Sequence, residues 1–461
     1  MNTGLLTHEF LVLGLGFLIL LADIWTPPAS RRKLGCAAAI GLGLILIFSL
    51  CKYSVASIPT QHAFNGMYAL DAFALFFKRF FIICAILVLI MSVEFADQIQ
   101  TGIGEYYSIL LFSLAGMLFA CSANDFALLF VSLELITISF FVLTSFQRAR
   151  LGSLEAGVKF LIIGALSTSF TVFGIAFIYG ISGKLNFTEL STVAGQYAAN
   201  PLFLFGLVCL MVGLGFKIAA FPFQIWAPDV YQGAPTPTTA FLAVASKAVG
   251  FVLILRVMFT AVPAVVAHWP KMLILVSGIT ILYGNLCALP QRNVKRLLGY
   301  SSVAHAGYML LGIAALTEAG QSAILFYLGS YLFTVLAAFA VICLVMRHLE
   351  GEDISSLAGL HQRNPLLAAT MALAMISLAG IPPLSGFFGK FLLLRAVVDK
   401  GPADSHYYAL AFVALAGVAI SIVYYFGVVR AIYFARDARD LSPIRASRSI
   451  TLSLYACVAG M

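Results

Sequence analysis

Long apolar runs alternate with short polar connections along the chain. A helix needs ~20 residues to cross the ~30 Å hydrocarbon layer of a membrane, and most of the runs are about that long. Lipid cannot hydrogen-bond to backbone N–H and C=O groups, so each run is predicted to be helical. Fourteen such runs cover residues 5–22, 34–51, 72–93, 106–121, 126–146, 158–181, 202–232, 237–260, 271–289, 297–316, 321–346, 366–398, 407–429 and 449–461.

Two of these runs contain central prolines and are too long for one uninterrupted crossing. Pro222 interrupts the run at 202–232, and Pro382 with Pro383 interrupts the run at 366–398. Proline removes an amide donor and clashes with the preceding helical turn, so both helices are predicted to break near mid-membrane. Ordinary proline kinks are the alternative.

The two broken runs occupy matching places in two sets of five helices, which indicates an inverted repeat. The last run is still apolar at Met461, so it is expected to be the start of a longer helix. The predicted organisation is three N-terminal helices (1–93), a first repeat (106–260), a second repeat (271–429) and the start of a final helix (449–461).

The composition places these helices in a membrane. Hydrophobic residues make up 62% of the chain, charged residues make up 10%, and the mean hydropathy is +1.01. Soluble domains have roughly 45–50% apolar and ~25% charged residues. The expected fold class is therefore an all-α polytopic membrane protein, with fourteen transmembrane helices, two inverted five-helix repeats and two broken helices.

Lysine and arginine are unevenly divided between the two sides that these helices would define. The loops on the N-terminal side hold Lys52, Lys184, Lys271 and Lys400. Basic residues collect in cytoplasmic loops, so the opposite side is expected to face the cytoplasm or its organellar equivalent. The net charge of +8 therefore reflects topology and does not indicate nucleic-acid binding. The opposite side holds fifteen basic residues: Arg31, Arg32, Lys33, Arg148, Arg150, Arg292, Lys295, Arg296, Arg347, Arg363, Arg430, Arg436, Arg439, Arg445 and Arg448.

Four ionisable side chains lie inside runs that are otherwise apolar enough to enter lipid. They are Glu134, Lys217, Lys247 and Lys390. A charge at bilayer depth costs at least ~2.5–3.5 kcal/mol, so such residues are rare and commonly mark an ion or proton route. Three lysines against one carboxylate also indicate a hydrated axis, because unpaired buried charges are strongly destabilising.

These groups have chemistry that suits proton transfer. Burial favours the neutral form of a lysine, whereas a nearby carboxylate favours the charged form. A Glu134–Lys217 pair that forms and separates would therefore hold and release a proton. Lys247 would accept that proton, Lys390 would release it on the far side, and His305 suits a relay near neutral pH. The alternatives are a static ion pair that fixes helix register and a hydrogen-bonded core histidine.

Other chemistry is disfavoured by the residues present. The eight cysteines form no C-x-x-C pair, so neither an iron–sulfur nor a zinc site is expected. A membrane haem would need paired deep histidines, and of the seven histidines His305 alone is expected to lie deep. Lys78 and Arg79, near the outer end of the third run, are expected to extend to the membrane interface and receive no transport role.

Three segments carry a resemblance to a known family: FKIAAFPFQIWAPDVYQGAPTPTTAFLAVASKA, QRNVKRLLGYSSVAHAGYMLLG and LAGIPPLSGFFGKFLLL. Over nearly its whole length the chain resembles the antiporter-like membrane subunits of respiratory complex I, most closely the N-subunit type. The resemblance implies fourteen helices, inverted repeats and one proton channel per subunit. By motif position, Glu134 resembles the family's fifth-helix glutamate. Lys217, Lys247 and Lys390 resemble its seventh-, eighth- and twelfth-helix lysines, and His305 falls in its tenth-helix relay region.

The resemblance also implies partners and cofactors. The chain is expected to work in a proton-translocating NADH–quinone oxidoreductase, beside antiporter-like and small membrane subunits, in a bacterial inner membrane or an organellar energy-converting membrane. No cofactor is expected in this chain. NADH or another donor, flavin, iron–sulfur clusters and quinone are expected in other subunits. Two alternatives remain open: a subunit of a sodium/proton antiporter with the same core, and a membrane scaffold whose buried charges carry nothing.

Overall fold

Helices form most of the chain. The computed structural model describes residues 3–55, 58–99, 101–347, 351–435 and 441–461. Of the basic loop residues, Arg436 and Arg439 lie outside the described residues. The α-helices are α1 Thr7–Trp25, α2 Arg32–Lys52, α3 Ala72–Phe95, α4 Ile103–Cys121, α5 Phe126–Thr144, α6 Leu151–Ser182, α7 Phe187–Val193, α8 Pro201–Ile218, α9 Trp226–Gly233, α10 Thr236–Phe241, α11 Lys247–Arg256, α12 Pro263–Val266, α13 Pro270–Ala288, α14 Val294–Ala314, α15 Glu318–Met346, α16 Leu360–Arg363, α17 Pro365–Ala379, α18 Ser385–Val398, α19 His406–Phe434 and α20 Arg448–Gly460.

The chain divides into two compact units. The first is Met1–Ile218 with Ala245–His268, and the second is Ala219–Val244 with Trp269–Met461. Short 3₁₀ turns lie at Thr3–Leu6, Pro28–Ser30, Ala96–Gln98, Ala194–Tyr197 and Ile354–Leu357.

In the first unit, sequential helices pack side by side. α4 contacts α1, α3 and α5, while α6 lies between α5 and α8, and α11 packs on α8 and α4. Glycines allow the closest approach, since a Cβ on Gly174 of α6 would lie 2.6 Å from the Gly206 carbonyl of α8. Small residues at helix contacts are a common feature of membrane bundles.

A small antiparallel hairpin joins α2 to α3 in the same unit. Its strands are β1 Gln61–Ala63 and β2 Tyr68–Leu70, with Gln61 opposite Leu70. The turn contains three consecutive residues with positive φ, Phe64, Asn65 and Gly66. Strand β2 is buried, so the hairpin covers the ends of the N-terminal helices and places Tyr68 inside them.

In the second unit, α14 lies at the centre and contacts α9, α13, α15 and α18. Its central positions are almost all buried, as are those of α15. α17 packs on α15 and α19, and α20 packs on α15. Polar caps set several helix starts: the Asn293 carboxamide accepts from the Arg296 amide at 3.0 Å, and Asn364 caps α17, whose first residue is Pro365.

The predicted runs and the observed helices correspond closely. Twelve helices within the described ranges are long and apolar enough to cross a membrane. Both predicted breaks are present: α8 ends at Ile218 before α9 begins at Trp226, and α17 ends at Ala379 before α18 begins at Ser385. The protein is an all-α polytopic membrane protein. The total of fourteen helices and the inverted repeats stay predictions.

One predicted run, 237–260, is less regular than expected. Two π-helical turns lie on either side of α11: Leu242–Ser246, within the run, and Val257–Ala261, which extends one residue past it. Lys247 is the first residue after the first of these turns. Single π-turns within α-helices frequently occur at functional sites.

Candidate functional site

Lys217 lies in the last turn of α8, just before the first helix break, and its side chain is buried. Its Nζ donates a hydrogen bond of 2.7 Å to the Thr137 hydroxyl oxygen on α5. The Thr137 hydroxyl in turn donates to the Leu133 carbonyl at 2.7 Å, so its oxygen is available as an acceptor. The amine is therefore held by a neutral group.

Glu134 is on the same face of α5 as Thr137, since the two residues are three positions apart. Its Oε1 accepts a 2.8 Å hydrogen bond from the Thr168 hydroxyl of α6. Glu134 and Lys217 line one cavity of about 20 Å³. Among the described residues no ion pair within 4.0 Å joins them. A cavity of that volume can hold about one water molecule, so the two groups are neighbours in a separated state.

Lys247 is buried at the start of α11, in the same unit as Lys217. Gly250 lies on the same face of α11, three residues further on. A Cβ at Gly250 would lie 2.6 Å from Ile218 Cγ2 and 3.3 Å from Lys217 Cβ. The absence of a side chain at Gly250 thus lets α11 approach the end of α8, and brings the two lysine-bearing turns to one helix contact.

Lys390 lies in the second unit, in the second turn of α18, and is buried. Its Nζ donates to the carbonyls of Leu378 at 2.7 Å and Ala379 at 3.2 Å, the last residues of α17. The same amine lies 4.8 Å from the centre of the Tyr308 ring. The helix break therefore creates the place where Lys390 binds, because it exposes carbonyls at the negative end of α17.

His305 lies on α14 in the second unit and is buried. Its Nδ1 is 2.5 Å from the Tyr327 hydroxyl, and its Nε2 is 2.9 Å from the Tyr425 hydroxyl. The Tyr425 hydroxyl also bonds to the hydroxyl of Ser301. The ring centre of Tyr308 is 6.0 Å from that of His305, so this tyrosine contacts both His305 and Lys390.

Tyr327 and Tyr425 are functional candidates that sequence reasoning missed, and Tyr308, a near neighbour of His305 in the sequence, received no role there. Tyr308 and Tyr327 lie within apolar helical runs, where an aromatic residue usually signals packing. The only available signal was the spacing of Tyr308 from His305, since residues three apart share a helix face.

Lys78 is the clearest correction. Its side chain does not extend outward: it is fully buried and pairs with Glu9 at 2.7 Å. The expectation that it extends outward is wrong, because the hairpin strand β2 covers this end of α3 and supplies the Tyr68 hydroxyl as a further partner. Arg79 turns to the end of α2, where it donates to the carbonyls of Ser49 and Tyr53. His8 is also fully buried, so His305 is not the one deep histidine.

No group of three or more His, Cys, Asp or Glu side chains that could hold a metal ion occurs in the part of the chain that the structure describes. The expectation that cofactors lie in other subunits stays a prediction.

The sequence and the fold are similar to those of known proteins. The profile of a family described as NADH:quinone oxidoreductase/Mrp antiporter, TM, matches residues 123–419. The chain is 38% identical to NADH-quinone oxidoreductase subunit N of Desulforamulus reducens, over 98% of this chain and 93% of that protein. It is similar to a chain of respiratory complex I from Thermus thermophilus, with a TM-score of 0.80 and 31% identity over 98% of this chain and 95% of that one.

The fold also matches a chain of the Mrp complex from a Dietzia species. That comparison gives a TM-score of 0.85 and 20% identity over 100% of this chain and 93% of the other. At this identity the likeness concerns the fold alone.

Proposed function

Because the chain belongs to the NADH:quinone oxidoreductase/Mrp antiporter transmembrane family, we propose that it is the proton-translocating N-type membrane subunit of a complex I-type NADH–quinone oxidoreductase. The observation that carries the proposal is the small cavity shared by Glu134 and Lys217. An acid and an amine at membrane depth commonly mark a proton route. The full-length similarity to a subunit N supports the oxidoreductase assignment.

In the first unit, the proton is held by Lys217. When the Glu134 carboxylate approaches, it favours the charged amine, and when it retreats, burial favours release of the proton. The Thr168 hydroxyl holds Glu134 in the retreated position, while the Thr137 hydroxyl accepts from Lys217. Redox chemistry in other subunits would drive the exchange between the two positions.

Lys247 accepts the proton that Lys217 releases, which the contact of α11 with α8 supports. In the second unit, His305 relays a proton and Lys390 releases it on the far side. The contact of Tyr308 with both side chains supports this order. The charge moves against the membrane potential, at a cost of ~2.3 kcal/mol per 100 mV.

The organisation of the subunit follows the same proposal. Residues 106–260 and 271–429 form two inverted repeats, each with a broken helix and a buried lysine beside the break, within a fourteen-helix chain. The partners are other membrane subunits of the complex in a bacterial inner membrane. NADH or another donor, flavin, iron–sulfur clusters and quinone belong to other subunits.

Replacing Lys217 by methionine in the complete complex tests the proposal. We expect Lys217→Met to abolish most proton pumping while the complex still assembles, because the uncharged side chain fills the site without binding a proton. Acidification of inverted membrane vesicles during NADH oxidation measures the effect. The matched control is Lys184→Met, which removes the same charge from an exposed pair with Glu189 and should leave pumping unchanged. Normal pumping by Lys217→Met would contradict the proposal.

A cation/proton antiporter subunit is the second candidate, since the matching family description includes Mrp antiporters. It predicts that transport in vesicles depends on sodium and does not require NADH oxidation. A scaffold role predicts instead that removal of the Lys217 charge alters assembly and leaves transport untouched. The same vesicle measurement, with and without sodium, separates the three functions.

A further inference from the structure

The N-terminal helices contain a fully buried acid–base pair that the relay described above does not use. Glu9, in the first turn of α1, and Lys78, in the second turn of α3, form an ion pair at 2.7 Å. The Tyr68 hydroxyl on β2 joins both, accepting from Lys78 at 2.5 Å and donating to Glu9 Oε1 at 3.0 Å. These three side chains come from separate elements and form the N-terminal cluster.

Several polar atoms beside this cluster lack a hydrogen-bonding partner among the described residues. They are both ring nitrogens of His8 and the second carboxylate oxygen of Glu9. His8 is fully buried, with its ring centre 5.6 Å from that of Tyr53 and 6.3 Å from that of Phe48. A buried polar atom without a partner costs free energy. These atoms therefore indicate a polar occupant such as water.

Other titratable groups lie around the cluster: Lys52 at the end of α2 and Arg79 on α3 near His8, Cys121 at the end of α4 near Lys78, and Arg256 on α11 with its partner Asp71 near Cys121. Arg256 donates to the two Asp71 oxygens at 2.6 and 2.8 Å and to the Cys121 carbonyl at 3.0 Å. Arg256 is the last residue of α11, the helix that begins with Lys247. This end of α11 is therefore attached to residues beside the cluster.

A purely structural role explains the ion pair but not the unpartnered atoms. A buried pair is often no more stabilising than well-packed apolar residues of similar volume. The contact between Glu9 and Lys78 is short enough for direct proton transfer, and the unpartnered Glu9 oxygen and His8 lie at its edge.

We propose that the N-terminal cluster is a second proton-binding site of this subunit, on the side of the membrane where the N-terminus lies. The proton moves from the Lys78 amine to the Glu9 carboxylate, which leaves a neutral amine and a carboxylic acid. The acid releases the proton to water beside His8, and a proton from water recharges the amine. One proton is taken up for each one released, and no reactant other than water is needed. This inference rests on the proposed function.

Two variants in the complete complex test the site. Lys78→Arg keeps a positive charge beside Glu9 but cannot release its proton, because a guanidinium stays protonated in proteins. The double variant Glu9→Leu with Lys78→Met removes both charges, so neither is left unpaired. We expect both to assemble and to lose most of the vesicle acidification per NADH oxidised. A static ion pair predicts normal pumping by both.

Lys217→Met and Lys184→Met are measured in parallel. If Lys217→Met loses pumping while an assembled Lys78→Arg or double-variant complex pumps normally, the inference is overturned and the proposed function stands. If Lys217→Met itself pumps normally, the proposed function fails. Loss of pumping by the assembled N-terminal variants, with Lys184→Met normal, supports the second site.

Discussion

The Thr137 hydroxyl determines how Lys217 is held. It donates to its own helix and accepts from the amine, so one side chain serves both contacts. The charged residues of the site, Glu134 and Lys217, could be predicted because charge in an apolar run is conspicuous. Their partners Thr137 and Thr168 could not, because threonine in a helix commonly bonds to the preceding turn. Which threonine also serves a distant group depends on helix packing.

Thr137→Val tests this contact at the residue scale. Valine matches threonine in shape but offers no acceptor, and a hydrogen bond to a charged group contributes ~1.5–3 kcal/mol. We expect the charged amine to be destabilised by about that amount and pumping to slow, with assembly intact. The matched control is Thr370→Val on α17, because the buried Thr370 hydroxyl has no partner among the described residues. Equal pumping rates in the two variants would exclude a role for the Thr137 oxygen.

At the scale of the helix, the two breaks were predictable and the π-turns were not. Pro222, Pro382 and Pro383 lack an amide donor, so the break could be expected wherever they interrupt an apolar run. The π-turns on either side of α11, Leu242–Ser246 and Val257–Ala261, contain no proline or glycine that would mark them in the sequence. The second break is also shaped by Gly380, which ends α17 in the left-handed conformation with φ of 83°.

Gly380→Ala tests the coupling of this break to Lys390. A left-handed backbone costs an alanine roughly 1–2 kcal/mol, and its Cβ would lie 2.9 Å from Lys390 Cδ. The control is Gly183→Ala, where φ is 66° and nothing lies within 4 Å of the added carbon. Both variants should lower the unfolding temperature of the purified complex by similar amounts, while only Gly380→Ala should reduce vesicle acidification. Similar pumping by the two variants would show that the geometry of the break does not affect the function of Lys390.

At the scale of the molecule, hydropathy was sufficient to locate the long apolar helices, because lipid restricts the backbone to very few choices. It could not locate the N-terminal cluster. Lys78 lies only two turns into its run, and nothing in the sequence shows that a hairpin placed after α2 covers it. Contacts between distant segments, such as Tyr327 and Tyr425 with His305, were equally hidden, because they are set by tertiary packing.

Arg256 connects three segments that are far apart in sequence: α11, the start of α3 at Asp71 and the end of α4 at Cys121. A lysine cannot reproduce the two parallel bonds to Asp71. We expect Arg256→Lys to destabilise the subunit by about 1.5–3 kcal/mol, measured as a lower temperature at which the purified complex loses this chain. Arg395→Lys is the control, because its pair with Asp399 is exposed and such pairs contribute little. An unchanged temperature would show that a single contact is sufficient.

The hydrogen bonds from Lys390 to the last carbonyls of α17 have a mechanical consequence. The attraction between an ammonium group and the negative end of a helix requires the positive charge. Loss of a proton from the Lys390 amine would therefore weaken its contact with the end of α17. Under the proposed function, each release of a proton from Lys390 would loosen its contact with the end of α17, and each protonation would restore that contact. Under the proposed function, the protonation state of Lys390 would therefore be coupled to the conformation of the break between α17 and α18.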